Sequence, residues 1–225
     1  MKLALVTTTD GRRESCAQTF ESARLQLGLA HFAQHIVVND CFEDPTYQDF
    51  LRELLPDAFI VPPALGGRRG FGGAIIEAWS RVDDDVDFVF HLEDDFLFQH
   101  AVPLFSMIEL LIAEEGLAQV SLMRQPANSE EAAAGGVVAV HPEAFADRVS
   151  DGGLRWLEHR LYFTTNPSVY PRWVVERGWP VGSQSEGMFT HGLLAEHPDA
   201  RFAVLGGRDD EPAVWHIGQR HGEGY

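Results

Sequence analysis

The chain has 225 residues, 45% of them hydrophobic, and a net charge of −17 from 17 basic and 34 acidic side chains. That length builds one domain, and that charge opposes non-specific binding to nucleic acid or an anionic membrane while leaving room for a local basic pocket at Arg68 and Arg69. The sequence has no apolar run of 18 residues to span a membrane, and its two cysteines, Cys16 and Cys41, give neither a disulfide framework nor metal-ligand spacing.

Residues 2–8 form a continuous apolar strand suited to a buried parallel position. The apolar start is too short for a secretory signal, so a cytoplasmic protein is expected. Residues 14–27 put Cys16, Phe20, Ala23 and Leu27 at helical spacing. Residues 35–39 read as a second strand. Residues 45–55 read as a short helix with Asp44 as N-cap and Pro45 in its first turn. A third strand at 58–61, a helix at 72–82 and a fourth strand at 87–92 complete a βαβαβαβ rhythm. This predicts an α/β fold with a mixed, mostly parallel Rossmann-like sheet flanked by helices.

Beyond residue 98 the pattern loosens. Residues 102–115 read as an amphipathic helix, 118–123 as a strand, 128–136 as a mobile polar stretch and 137–140 as another strand. Residues 167–177 and 186–197 read as helices, 202–205 and 213–217 as short strands, and 218–225 as a polar tail. The whole is expected to be one domain, 1–225, with a nucleotide-binding type of sheet in its first half.

One run stands out. An apolar strand ends in Glu93, Asp94 and Asp95 and then turns apolar again at Phe96. Strand tips are where α/β folds bind ligands, and three adjoining acids repel one another unless a cation sits among them. A hard divalent cation, Mg²⁺ or Mn²⁺, suits such oxygen ligands and completes its shell with substrate phosphates. The triplet Asp83, Asp84 and Asp85 lies in a polar connection and reads as an exposed loop.

Other runs are open to two readings each. Thr7, Thr8, Thr9, Asp10, Gly11 and Arg12 at the first strand tip can cradle a base or ribose, or form a β-turn with an Asp cap. Asp40, after the second strand, can accept from a base or ribose, or cap a helix. The glycine-rich run 66–74, with Arg68, Arg69 and Gly73, suits an anion at a helix N-terminus, though it is no Walker or Rossmann loop. Ser183 or Ser185 can cap a helix that carries Glu186 in its first turn. His216, between Trp215 and Ile217, is more often a structural residue than a ligand. The aromatic and polar run 162–173 suits either an acceptor platform or a buried loop.

Taken in order, these runs resemble glycosyltransferases of the GT-A fold, most closely the inverting family 2 enzymes. The resemblance covers nearly the whole chain, is densest up to about residue 98, and implies a nucleotide-sugar-binding half over 1–98 and an acceptor-side half over 99–225. It implies nucleotide-sugar contacts from Thr7, Thr8, Thr9, Asp10, Asp40, Arg69, Gly73, Glu93 and Asp94. It implies Mn²⁺ or Mg²⁺ on Asp95 and His216, and Glu186 as general base, with Glu196 as the fallback. The first acid of the D-x-D motif is here Glu93, and the base motif, which usually pairs two acids, is here Glu186 followed by Gly187. The implied reaction transfers a sugar from a nucleotide-diphosphate donor, UDP by family frequency, to an unread acceptor hydroxyl with inversion. Alternatives are a retaining GT-A transferase, a sugar-phosphate nucleotidyltransferase, for which the first loop holds too few glycines, and a non-catalytic nucleotide-sugar-binding domain.

Overall fold

The computed structural model describes residues 1–182 and 184–218. In chain order the elements are β1 Leu3–Thr9, α1 Arg13–Gln26, β2 Gln34–Asn39, α2 Tyr47–Leu54, β3 Phe59–Val61, α3 Gly70–Trp79, β4 Phe88–Glu93 and β5 Phe96–Phe98. Then come α4 Leu104–Ala113, β6 Leu117–Leu122, α5 Ser129–Ala134, α6 Val137–Val140, β7 Ala146–Val149, β8 Arg155–His159 and β9 Ser168–Pro171. The chain continues through α7 Arg172–Glu176, α8 Ser185–Glu196, β10 Arg201–Leu205 and β11 Val214–His216.

Nine strands form one sheet in the order β3-β2-β1-β4-β9-β6-β10-β8-β7. β1, β2, β3 and β4 pair in parallel, as do β6 and β10. β9 runs against both β4 and β6, and β8 against both β10 and β7. Within this sheet β9 and β8 are thus reversed relative to the other seven, and the sheet is mixed but mostly parallel, with helices on both faces.

All seven residues of β1 are buried, as a central parallel strand requires. Its alternation divides the core. Leu3 and Leu5 join Cys16 and Phe20 of α1 and Met107 and Ile108 of α4 on one face. Ala4 and Val6 join Ile75 and Trp79 of α3 and Phe189 and Leu193 of α8 on the other. The period-2 geometry of the strand thus packs two helical layers from one stretch of chain.

Several expectations need correction. Residues 137–140 form the helical turn α6, entered through Gly136 at φ 130. Val138 there packs with Phe145, Leu157 and Val204, so the one buried residue of the run reaches the core without a strand partner. Residues 128–136 hold a capped helix: the Asn128 side chain accepts from the Glu131 amide, and α5 follows. Residues 168–171, read as helix, are β9, with Ser168 opposite both His91 and Ser121. The helix α7 begins only after Pro171. Asp44 does not cap α2; its carboxylate accepts from the Thr46 amide and hydroxyl in a turn before Tyr47. β5, β7 and β8 have no counterpart among the predicted elements.

Candidate active site

The parallel half aims the ends of β1, β2 and β4 at one edge of the sheet, where α/β folds open a crevice. In register, Thr8 lies beside Glu93, and Thr9 beside Asn39. The acid triplet therefore leaves β4 directly next to the turn that follows β1. Gly11 makes that turn at φ +105, and a Cβ there would lie 2.6 Å from Cys41 Sγ, so the close approach and the backbone conformation both call for glycine.

The turn delivers Arg12 into the acids. Its Nε donates to Asp10 Oδ1 at 2.7 Å, Nη2 to Asp94 Oδ1 at 2.7 Å, and Nη1 to Asp95 Oδ2. Asp94, 0% exposed, also accepts from Thr9 Oγ1 at 2.5 Å, and Thr9 in turn meets the Tyr47 hydroxyl. Burial pushes Asp94 up to about 7, with Arg12 pulling the other way. Glu93 is raised well above the usual carboxylate range by burial, by Asp95 and by Glu186. Asp95 is held below its ordinary value despite its burial, because His216 and Arg12 both face it. Burial also works against the Arg12 charge, but Asp94, Asp95 and Asp10 together raise its pKa, and it stays a cation.

The fourth side is closed by a two-stranded ribbon. β11 pairs antiparallel with β5, setting His216 opposite Phe96, and the two rings lie 4.9 Å apart. Gln125 clamps the His216 backbone from both sides, accepting from its amide and donating to its carbonyl at 2.8 Å each. Ile217 N donates to the Asp95 carbonyl at 2.8 Å. The result places His216 Nε2 3.0 Å from Asp95 Oδ2 across 121 positions of sequence.

A cleft of about 180 Å³ collects Arg12, Glu93, Asp95 and His216 on one side and Thr165, Asn166 and Glu186 on another. Glu186, in the first turn of α8, accepts from the Thr165 amide at 2.8 Å and its hydroxyl at 2.9 Å. Just before it, Gln184 holds a left-handed φ of 61, a strained conformation of the kind that accumulates at functional sites. The N-cap position of α8 falls on Gln184, which makes no side-chain cap bond; of the two expected caps, Ser185 is instead the first residue of α8, and Ser183 lies outside the described residues.

Some expected contacts sit elsewhere. Asp40 is a helix anchor, accepting from the Arg69 amide at 2.6 Å and the Gly70 amide at 2.9 Å. Arg69 turns its guanidinium to the carbonyls of Asn39 and Pro62, and Arg68 pairs with Glu43. Thr7 is fully buried with its hydroxyl unpartnered, and Thr8 and Thr9 are buried too. Asp94 is committed to the interior and Gly73 to an adjoining groove shared with Arg69; neither lines the acid cleft. Glu196 pairs with Arg177 at 2.9 Å, at the opposite end of α8 from Glu186. From the aromatic run, Thr164, Thr165 and Asn166 reach the cleft, while Phe163 and Tyr170 belong to the core. Sequence reasoning takes in Arg12 and Thr165 only as members of longer runs, and Gln125 not at all. The nearness of Arg12 to Asp10 in a tight turn is the one available signal for its role; Thr165 and Gln125 act through long-range hydrogen bonds that no local pattern announces.

Among the described residues, no group of three or more His, Cys, Asp or Glu forms a metal cage. Asp95 Oδ1 is nonetheless buried without a partner, and an imidazole nitrogen stands against the other oxygen of the same carboxylate. A carboxylate oxygen and an imidazole nitrogen side by side are ligand types that fit a divalent cation.

The sequence matches no family model and no curated protein. Solved structures are similar in fold. Staphylococcus aureus TarS in complex with UDP-GlcNAc is 17% identical, with a TM-score of 0.62, over 99% of this chain and 60% of its own. The mannosyltransferase PcManGT from Pyrobaculum calidifontis, in complex with GDP-Man and Mn²⁺, is 16% identical, with a TM-score of 0.67, over 98% of this chain and 58% of its own. Glucosyl-3-phosphoglycerate synthase from Mycobacterium tuberculosis, in complex with phosphoglyceric acid, is 16% identical, with a TM-score of 0.56, over 93% of this chain and 73% of its own. This chain spans about 60% of the length of the first two. These likenesses establish the GT-A fold.

Proposed function

We propose that this protein is a glycosyltransferase moving a sugar from a nucleotide-diphosphate donor, a UDP-sugar, to an acceptor hydroxyl with inversion, and that it uses a divalent cation. One arrangement carries the reading: the Asp95–His216 pair, 3.0 Å apart, and the Glu186 carboxylate line the same cleft.

Asp95 and His216 would hold the cation, which when bound neutralises charge on the departing diphosphate. Arg12 keeps the neighbouring acids compensated and lines the cleft itself, so its guanidinium stands where an anionic leaving group enters. Thr165 fixes the Glu186 carboxylate by two hydrogen bonds to one oxygen, leaving the other to take the proton from the attacking hydroxyl. Attack from the face opposite the leaving group inverts the anomeric centre. Two buried free thiols, Cys16 and Cys41, accord with a reducing, cytoplasmic setting. No helix among the described residues is long and apolar enough to cross a membrane.

The test is thermal stability with UDP, GDP and dTDP, each with and without Mn²⁺. UDP with Mn²⁺ is expected to raise Tm, and Asp95→Ala to abolish the metal-dependent part. Equal shifts with and without metal for all three nucleotides would overturn the proposal.

A further inference from the structure

Beyond Glu186 the cleft continues into a chamber of about 320 Å³, with Arg124, Thr164, Asn166 and Glu186 shared between the two. Leu122 of β6 and Val204 of β10 line it, together with Val137, Leu161 and Tyr162. Several of its polar neighbours are engaged with one another, while the Tyr162 hydroxyl, the Asn166 side-chain amide and the exposed His191 imidazole also border it. Arg124 donates to Glu131 and to the Gln125 carbonyl. Thr190 Oγ1 donates to the Glu186 carbonyl and accepts from the Phe163 amide. Ser121 Oγ donates to the Ala203 carbonyl, and Thr164 Oγ1 accepts from the Asn166 amide. Tyr162, Asn166 and His191 cannot answer all the hydroxyls of a saccharide set among Leu122, Val137, Leu161 and Val204, and each hydroxyl left unpartnered costs affinity. An apolar body finds carbon surface on several sides, and the volume is at the small end for ligand pockets.

We propose that this chamber seats the apolar body of the acceptor, a compact aromatic or aliphatic alcohol or phenol whose hydroxyl reaches Glu186. The proposal rests on the glycosyltransferase reading and names its acceptor class. The acceptor oxygen forms a C–O bond to the anomeric carbon. The bond from that carbon to the diphosphate oxygen breaks, its electron pair leaving on the nucleoside diphosphate. The hydroxyl proton passes to the Glu186 carboxylate. Gly187 lines the chamber but not the acid cleft, and a Cβ there would meet nothing within 4 Å, so the position has room for a larger side chain.

The experiment uses 4-methylumbelliferone and methyl β-D-glucoside as probes, each titrated by saturation-transfer NMR against the wild type, Gly187→Phe and Leu161→Asp. Leu161 is 42% exposed at the chamber, so its substitution leaves the core intact. The wild type is expected to bind the umbelliferone and not the glucoside. Both variants should weaken the umbelliferone at least tenfold, and the UDP–Mn²⁺ thermal shift should be unchanged. Glucoside binding in preference to umbelliferone, or umbelliferone binding indifferent to both substitutions, overturns the proposal. Loss of the UDP–Mn²⁺ shift in the wild type itself overturns the transferase reading and the acceptor role with it; the probe titrations judge the chamber separately.

Discussion

Two acidic triplets lie ten positions apart, Asp83-Asp84-Asp85 and Glu93-Asp94-Asp95, and they live under opposite physical regimes. The side chains of the first are 55%, 104% and 73% exposed and pair with Lys2 and Arg172 at the surface. In the second, Asp94 and Asp95 are 0% and 2% exposed and enclose Arg12. Water screens the first set, so its repulsion is weak and its ion pairs contribute little. The second has lost its water, so each charge must be answered by a fixed neighbour. Clustering of carboxylates alone does not make a site; withdrawal from solvent beside placed cations does.

The largest effect expected comes from the carboxylate across the cleft from the buried triplet. Glu186→Gln keeps the shape and removes the basicity, and should lower kcat by about 10²–10⁴-fold with donor binding nearly unchanged. Glu196→Gln, at the far end of the same helix, should leave steady-state kinetics intact. Full activity in Glu186→Gln would remove the base from this cleft.

Next in size is Arg12→Met. It strands Asp94 and Asp95 without their cation, and breaking a buried pair in this way costs about 3–5 kcal/mol. Urea unfolding should show it as a lower midpoint with an unchanged slope. Lys2→Met, which removes the exposed counterpart, should leave the midpoint where it is. Equal losses from the two would erase the contrast between the triplets.

The smallest effect is in titration. Asp94 is pushed up to about 7 by burial, against Arg12, whereas Asp85 is drawn below its ordinary value by its hydrogen bond to Lys2. A folded-state pKa above the unfolded one means that the native state holds the extra proton between about 4 and 7. The Asp94 contribution is therefore full below the unfolded value near 3.8 and is lost as pH rises through 7. Relative to Asp94→Asn, the wild type should lose thermal stability from pH 5 to pH 8. A pH-independent difference would place Asp94 in the same regime as the exposed loop.

The parallel half was legible because its signals are local. β1, β2, β3 and β4 are apolar runs separated by helical periodicity, and the predicted sites of all four coincide with strands in the structure. β7 escaped notice because Ala146–Val149 is exposed throughout and carries no burial pattern to read, and β8 because two of its four buried residues, Glu158 and His159, are polar. β9 escaped because two prolines near its ends resemble a helix start; its pairing between β4 and β6 is a long-range fact. Asp95, His216 and Glu186 do share a cleft, but Asp40, Arg69, Thr7 and Thr9 spend their polar groups on the scaffold or are buried in it. A strand-tip residue type announces an available donor or acceptor, and only tertiary packing decides whether the framework uses it first. Arg12 shows the converse, a loop residue whose weight depends on acids 82 and 83 positions away.

The ribbon of β5 and β11 also orders events during synthesis. A chain made from its N-terminus presents Arg12 before the acids, and the acids before His216. Glu93, Asp94 and Asp95 therefore emerge into the company of a cation already made. The histidine follows only after all nine strands of the large sheet have been translated, since β10 ends at Leu205 and β11 begins at Val214. Translation thus delivers Arg12 and the acids it compensates first, the remaining strands of the sheet next, and the histidine that completes the Asp95–His216 pair last.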